Sequence, residues 1–131
     1  MTKVIVWPQF ERYSADNWPE FMKNITETIQ LLIGDPMTDN GDKQVKQLFA
    51  GPRRKLIEIR LKNGAIVPRH QAKEPITVLC LSGSGIFRAG ETLDEEQRLT
   101  PGTLVTLEPE IDHEVIANPE VQILVTKFTG D

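Results

Sequence analysis

The sequence predicts a small all-β domain, a sandwich or barrel of short strands, preceded by one amphipathic helix. Three observations predict it. Beyond residue 43, strand-like runs recur at roughly 8–12-residue spacing, separated by Gly and Pro. Within Lys55–Leu61, the residues Ile57, Ile59 and Leu61 alternate with Glu58 and Arg60, the period of a half-buried strand. The chain has 131 residues, 39% hydrophobic and 26% charged, which suits one globular domain. A domain of that size buries roughly two-thirds of the surface its unfolded chain exposes.

Val4–Trp7 reads as a short strand that Pro8 ends. Pro19 then stands where a first helical residue would. Phe21, Ile25, Ile29 and Leu32 recur at intervals of four, four and three, one stripe of an amphipathic helix over Trp18–Ile33. Gly34-Asp35-Pro36 closes it. Ile25–Leu31 also reads as a strand, because Ile25, Ile29 and Leu31 share parity, although Glu27 interrupts that face. Asp35–Asp42 is turn-rich, so residues 1–43 divide into strand, helix and linker, and 44–131 form the β-barrel of a single domain. Strands are expected at Gln44–Ala50, Lys55–Leu61, Ile76–Leu81, Ile86–Arg88, Leu104–Glu108, Glu114–Ala117 and Val121–Phe128. Ser82-Gly83-Ser84-Gly85 reads as a hairpin turn, since it lacks the Lys-Ser/Thr ending of a phosphate loop.

The net charge is −4, from 15 Lys and Arg against 19 Asp and Glu. A nucleic-acid binder carries a basic face, because phosphate neutralisation drives most of its affinity. The one dense basic run, Arg53-Arg54-Lys55, reads as a solvated strand entrance. Nucleic acid and anionic membrane surfaces are therefore not expected partners. No apolar stretch approaches the roughly 20 residues of a membrane span. The apolar run near Met1 is too short for a signal peptide, and the single Cys80 can form no intrachain disulfide. A cytoplasmic protein is the expectation.

The two histidines both lie in turn-flanked segments beside apolar strands. His70 follows Gly64-Ala65-Ile66-Val67-Pro68-Arg69, and His113 follows Glu108-Pro109-Glu110-Ile111-Asp112. The region from Gly64 to Asn118 resembles the cupin superfamily, whose members are double-stranded β-helix (jelly-roll) barrels. Of that family's first motif, Gly64, His70 and Gly83 match, whereas Ala72 replaces a second histidine and Ile76 a glutamate. Of its second motif, Gly102 and His113 match. Pro109 and Asn118 each lie one place late, and Glu110 stands where a turn glycine would be.

The resemblance implies a site inside the barrel, with His70 and His113 on family positions that would face each other across the interior. A metal-bearing cupin supplies three imidazoles and one carboxylate, a set that suits Fe, Mn, Ni or Zn. Here Ala72 and Ile76 turn two ligand positions into wall. The nearest replacement carboxylate is Glu74, which shares parity with Ile76 but lies about 6.6 Å along the strand. Only a turn at Pro75 would bring it inward. Cys80 reads as a buried small hydrophobe. A triad of Ser82 or Ser84 with His113 and Asp112 is disfavoured, because adjacent Asp and His side chains on a strand diverge.

Two functions follow as expectations. The first is a barrel that binds a small organic molecule near His70 and His113 without metal. The second is a metal-dependent oxygenase or isomerase, with His70, His113 and Glu74 as ligands. A third class, a non-catalytic interaction module, would use the helix or a sheet face. The resemblance also implies a homodimer.

Overall fold

The computed structural model describes residues 24–37 and 41–130, together with the backbone of Tyr13 and Ser14. The chain forms two compact units, residues 1–32 and 33–131. In the first, β1 (Tyr13–Ser14) pairs antiparallel with β2 (Glu27–Thr28). The expected strand Val4–Trp7 and the start of the expected helix, Trp18 to Phe21, lie outside the described residues. Residues 24–33 are not helical, which corrects that part of the expectation. Ile25, Thr26, Thr28 and Ile29 are β-branched, lose χ1 freedom in a helix and favour extended backbone. The parity reading of Ile25–Leu31 was the better guide there.

The second unit is built from seven antiparallel strands: β3 (Lys43–Gly51), β4 (Arg54–Leu61), β5 (Ile66–His70), β6 (Ile76–Ala89), β7 (Glu95–Leu99), β8 (Leu104–Leu107) and β9 (His113–Lys127). Their organiser is a long ribbon in which β6 and β9 pair along nearly their full lengths, Ile76 opposite Lys127 and Ala89 opposite His113. Each ribbon strand changes its outer partner half-way. The first half of β9 pairs with β5 and the second with β4, which carries β3 on its far edge. The first half of β6 pairs with β8 and the second with β7. Two β-layers thereby wrap one core.

The change of partner falls at an irregularity. Ser82-Gly83-Ser84 is not a hairpin turn but an irregular stretch inside β6, with Ser82 opposite Gln122 and Gly83 opposite Val121 of β9. Buried residues occupy even positions before it (Ile76, Val78, Cys80) and odd positions after it (Phe87, Ala89). A one-residue insertion switches faces in this way, so the same side of the ribbon stays inward around the bend. Gly83 has φ +77°, and a Cβ there would lie 2.2 Å from the Glu120 carbonyl oxygen. Only glycine fits that crossing.

Within each layer the alternation read from sequence holds. Leu61, Val78, Phe87, Leu99, Val115 and Ile123 are buried in a single cluster. Each large apolar side chain withdrawn from water contributes about 1.5–3 kcal/mol. The expected separate strands Ile76–Leu81 and Ile86–Arg88 are one strand, as are Glu114–Ala117 and Val121–Phe128. No helix among the described residues is long and apolar enough to cross a membrane.

Candidate functional site

The inner rows of β3, β4, β5, β6 and β9 leave a cavity of about 270 Å³. Its walls are mostly aliphatic: Val45, Ile57, Ile59, Val67, Val115 and Ile123 contribute, with Ala72 and Ile76 among them. Ala72 and Ile76, which the motif resemblance sets at ligand positions, are therefore wall. Both histidines line the same cavity.

His70 and His113 are direct cross-strand partners on β5 and β9. Their ring centroids stand 4.2 Å apart, with planes inclined at 57°. They sit side by side in one sheet, which corrects the expectation that they face each other across the barrel. The pairing depends on a bulge. Val67 is opposite Val115 and His70 opposite His113, so β5 spends three steps where β9 spends two. An unbroken ladder would set Arg69 opposite His113. Pro68 lies in the extra step, where its missing N–H costs no ladder bond.

Each imidazole is held by the carbonyl two residues earlier in its own chain. His70 Nδ1 lies 2.8 Å from the Pro68 oxygen, and His113 Nδ1 lies 2.9 Å from the Ile111 oxygen. A carbonyl only accepts, so both Nδ1 atoms carry hydrogen, and in the neutral rings Nε2 holds the lone pair. Neither Nε2 has a protein hydrogen-bond partner among the described residues. Phe87 stacks on His113 with centroids 5.7 Å apart and planes 10° from parallel. His113 is 3% exposed, whereas His70 is open to solvent. Burial pushes the His113 pKa down; the Ile111 carbonyl opposes this, and the positive fields of His70 and Lys127 add to it. Burial thus favours the neutral form of His113.

Asp112, next to His113, points elsewhere. Its carboxylate accepts hydrogen bonds from Gln71 Nε2 at 2.6 Å and Arg69 Nε at 2.9 Å, and these hold its pKa below the ordinary value. Ser82 donates to Gln122 and Ser84 to the Asn118 carbonyl, so no Ser-His-Asp triad forms. Cys80 is buried, and desolvation raises its thiol pKa.

Among the described residues, no group of three or more His, Cys, Asp or Glu side chains is placed to hold a metal ion. Glu74 therefore does not complete a set with His70 and His113. The ionisable residues that line the cavity are these two histidines with Lys43 and Lys127, and no carboxylate is among them. Two imidazoles in a cavity whose other ionisable lining is two lysines do not fit a divalent cation, whose charge a carboxylate ordinarily offsets.

Sequence reasoning missed both lysines and a second polar cluster. Lys127 shares parity with Val121, Ile123 and Val125, and Lys43 with Val45, so parity carried the signal. On the opposite face of β4 and β9, Glu58, Arg60 and Gln122 are all buried. Glu58 Oε2 accepts from Arg60 Nε at 3.0 Å and from Gln122 Nε2 at 2.6 Å. The segment at Gly34 and Asp35 lies over them, its Gly34 N–H donating to Gln122 and its Asp35 carbonyl accepting from Arg60. Alternation alone marked Glu58 and Arg60 as outward; it did not show that they are covered.

The arrangement of strands is that of the cupins. A cupin superfamily protein from Desulfitobacterium hafniense superposes with a TM-score of 0.64 at 14% identity, covering 74% of this chain and 84% of that one. An RmlC-like cupin from Desulfovibrio desulfuricans gives a TM-score of 0.67 at 19% identity, over 77% and 95% of the two chains. An RmlC-like cupin with a double-stranded β-helix fold from Methanocaldococcus jannaschii gives 0.61 at 16% identity, over 77% and 92%. No protein-family model matches the chain, and no curated protein matches it. The chain shares the fold of these cupins, and Gly64, His70 and Gly83 are its matches to the first motif it resembles.

Proposed function

We propose that this protein binds a small organic molecule inside the cupin barrel, with His70 and His113 as its polar anchors and without a metal ion. The observation that carries the reading is the pair itself. Two imidazoles, each fixed by its Nδ1–H and with Nε2 unpartnered among the described residues, line one aliphatic cavity. A concave apolar pocket with a few convergent polar groups is the ordinary form of a small-molecule site. A neutral, positioned Nε2 accepts a hydrogen bond from a ligand hydroxyl or acid, and can take up its proton. The cavity holds about nine water volumes, which limits the ligand to a small one.

The metal-dependent alternative, an oxygenase or isomerase using His70, His113 and Glu74, lacks a third donor beside the two rings. The test is elemental analysis of the untagged protein, before and after incubation with Fe, Mn, Ni and Zn, alongside His70→Ala and His113→Ala. The reading predicts no stoichiometric metal, and stabilisation by small acids or sugars that both variants lose. Near-stoichiometric metal that both variants lose would replace it with the metal reading. A homodimer belongs to the same proposal, and light scattering at micromolar concentration tests it.

A further inference from the structure

We infer that the cavity is an anion site, and that its ligand is a small organic carboxylate whose acid group is held by Lys127 beside the histidine pair. This rests on the reading of the cavity as a ligand site and names the class of ligand. The chain as a whole is acidic, with 19 Asp and Glu against 15 Lys and Arg. Yet every ionisable side chain that lines the cavity is basic: Lys43, His70, His113 and Lys127. Charge is segregated against the average of the molecule.

Lys127 is the centre of that segregation. It continues the inward row Val121, Ile123, Val125 of β9 and is only half-buried, so its aliphatic stem covers apolar wall while its ammonium stays near the cavity. Its field reaches His113. It has no carboxylate partner among the described residues. A partly desolvated ammonium without a counter-charge is costly, and an incoming carboxylate removes that cost while leaving its apolar body on the valine and isoleucine walls. Lys43 stands at the other end, opposite Leu61 on β4 where Lys127 is opposite Lys55, about 20 Å of strand away. Its ammonium lies 3.4 Å from the Ile66 carbonyl, at the gap between β3 and β5. That position draws anions toward the opening. A neutral sugar would have no use for either charge.

The test uses the full chain at pH 8, titrated with hexanoate and, separately, with its neutral isostere hexanamide. Binding is read from the imidazole resonances of His70 and His113. Hexanoate is expected to bind about tenfold more tightly than hexanamide, the discrimination one charge-assisted hydrogen bond gives. Lys127→Met should bring hexanoate to the level of the amide without moving the amide. Lys43→Met, which alters an exposed side chain, should slow hexanoate association and weaken its salt dependence. Equal affinity for acid and amide would overturn the anion assignment while leaving the cavity a ligand site. A preference for hexanoate that survives Lys127→Met would overturn the role given to Lys127. If neither compound moved the two imidazoles, the anion assignment and the reading beneath it would both fall.

Discussion

His70 and His113 are register partners across β5 and β9, with ring centroids 4.2 Å apart, and a single extra residue in β5 makes them so. The site is thus a product of backbone register as much as of residue choice. Removing Pro68 should give an unbroken ladder, with Arg69 opposite Glu114 and His70 still opposite His113. We expect that deletion to keep the fold and the ring-to-ring nuclear Overhauser effects between the two histidines, and their loss would contradict this register.

The pH dependence of stability follows from His113. Its folded-state pKa lies below the unfolded value of about 6.5, so the unfolded chain binds the proton more readily. This contribution is complete above about pH 6.5 and is lost as pH falls from there through the folded pKa. The slope from one proton is at most about 1.4 kcal/mol per pH unit. His70, Lys127 and Asp112 are the charged or titratable groups acting on the ring. Asp112, whose pKa is lowered, loses its own contribution only below about pH 4, so the windows separate. Denaturant unfolding from pH 8 to 4.5 should show the slope in the native protein and a reduced one in His113→Gln.

Glu110 adopts φ +64° in the turn before β9, at the place where the family motif carries glycine. A side chain in the left-handed region costs about 1–2 kcal/mol. Glu110→Gly should therefore stabilise the protein by about 1 kcal/mol, after the entropy glycine adds to the unfolded chain. Urea unfolding checks it, and a loss of stability would mean that the carboxylate has a role the turn conceals.

At the bend of the ribbon, Gly83→Ala sets a Cβ against the Glu120 carbonyl in a left-handed conformation. We expect a loss above about 2 kcal/mol, measured the same way. Ser84→Ala, one residue on, removes only a hydroxyl bond to the Asn118 carbonyl and should cost about 1 kcal/mol.

Under the Gly34–Asp35 segment, the oxygen of Glu58 that accepts from both Arg60 and Gln122 holds a buried polar cluster together. Glu58→Ala removes that acceptor and should destabilise the protein by about 3 kcal/mol. Because the cluster lies on the far side of β4 from the cavity, ligand binding by the folded fraction should be unchanged.

Much of the fold was legible because period-two alternation is local. Ile57, Ile59 and Leu61 announced β4, and the apolar runs beginning at Ile76 and Val121 announced the ribbon. β5 and β7 were not legible. β5 is only Ile-Val-Pro-Arg-His, mostly exposed, and β7 is Glu-Glu-Gln-Arg-Leu, whose Leu99 alone is buried. Such edge strands are set by pairing with a neighbour rather than by their own residues. The break in β6 misled for a related reason: Ser-Gly-Ser-Gly has the composition of a turn, but Gly83 is there for a close backbone crossing. The histidines were found through motif spacing. Their side-by-side placement required the bulge at Pro68, and the lysines required knowing which row of β9 faces inward.

On the proposed function, ligands bind in the cavity at the histidine pair. The most direct test is a fragment screen of small acids, amides and sugars, followed by imidazole nitrogen spectra of the native protein. Compounds that bind should shift His70 and His113 together and fail to do so in Ala72→Phe, which fills the cavity wall. Compounds that bind while leaving both rings unmoved, or that bind Ala72→Phe equally well, would contradict the account.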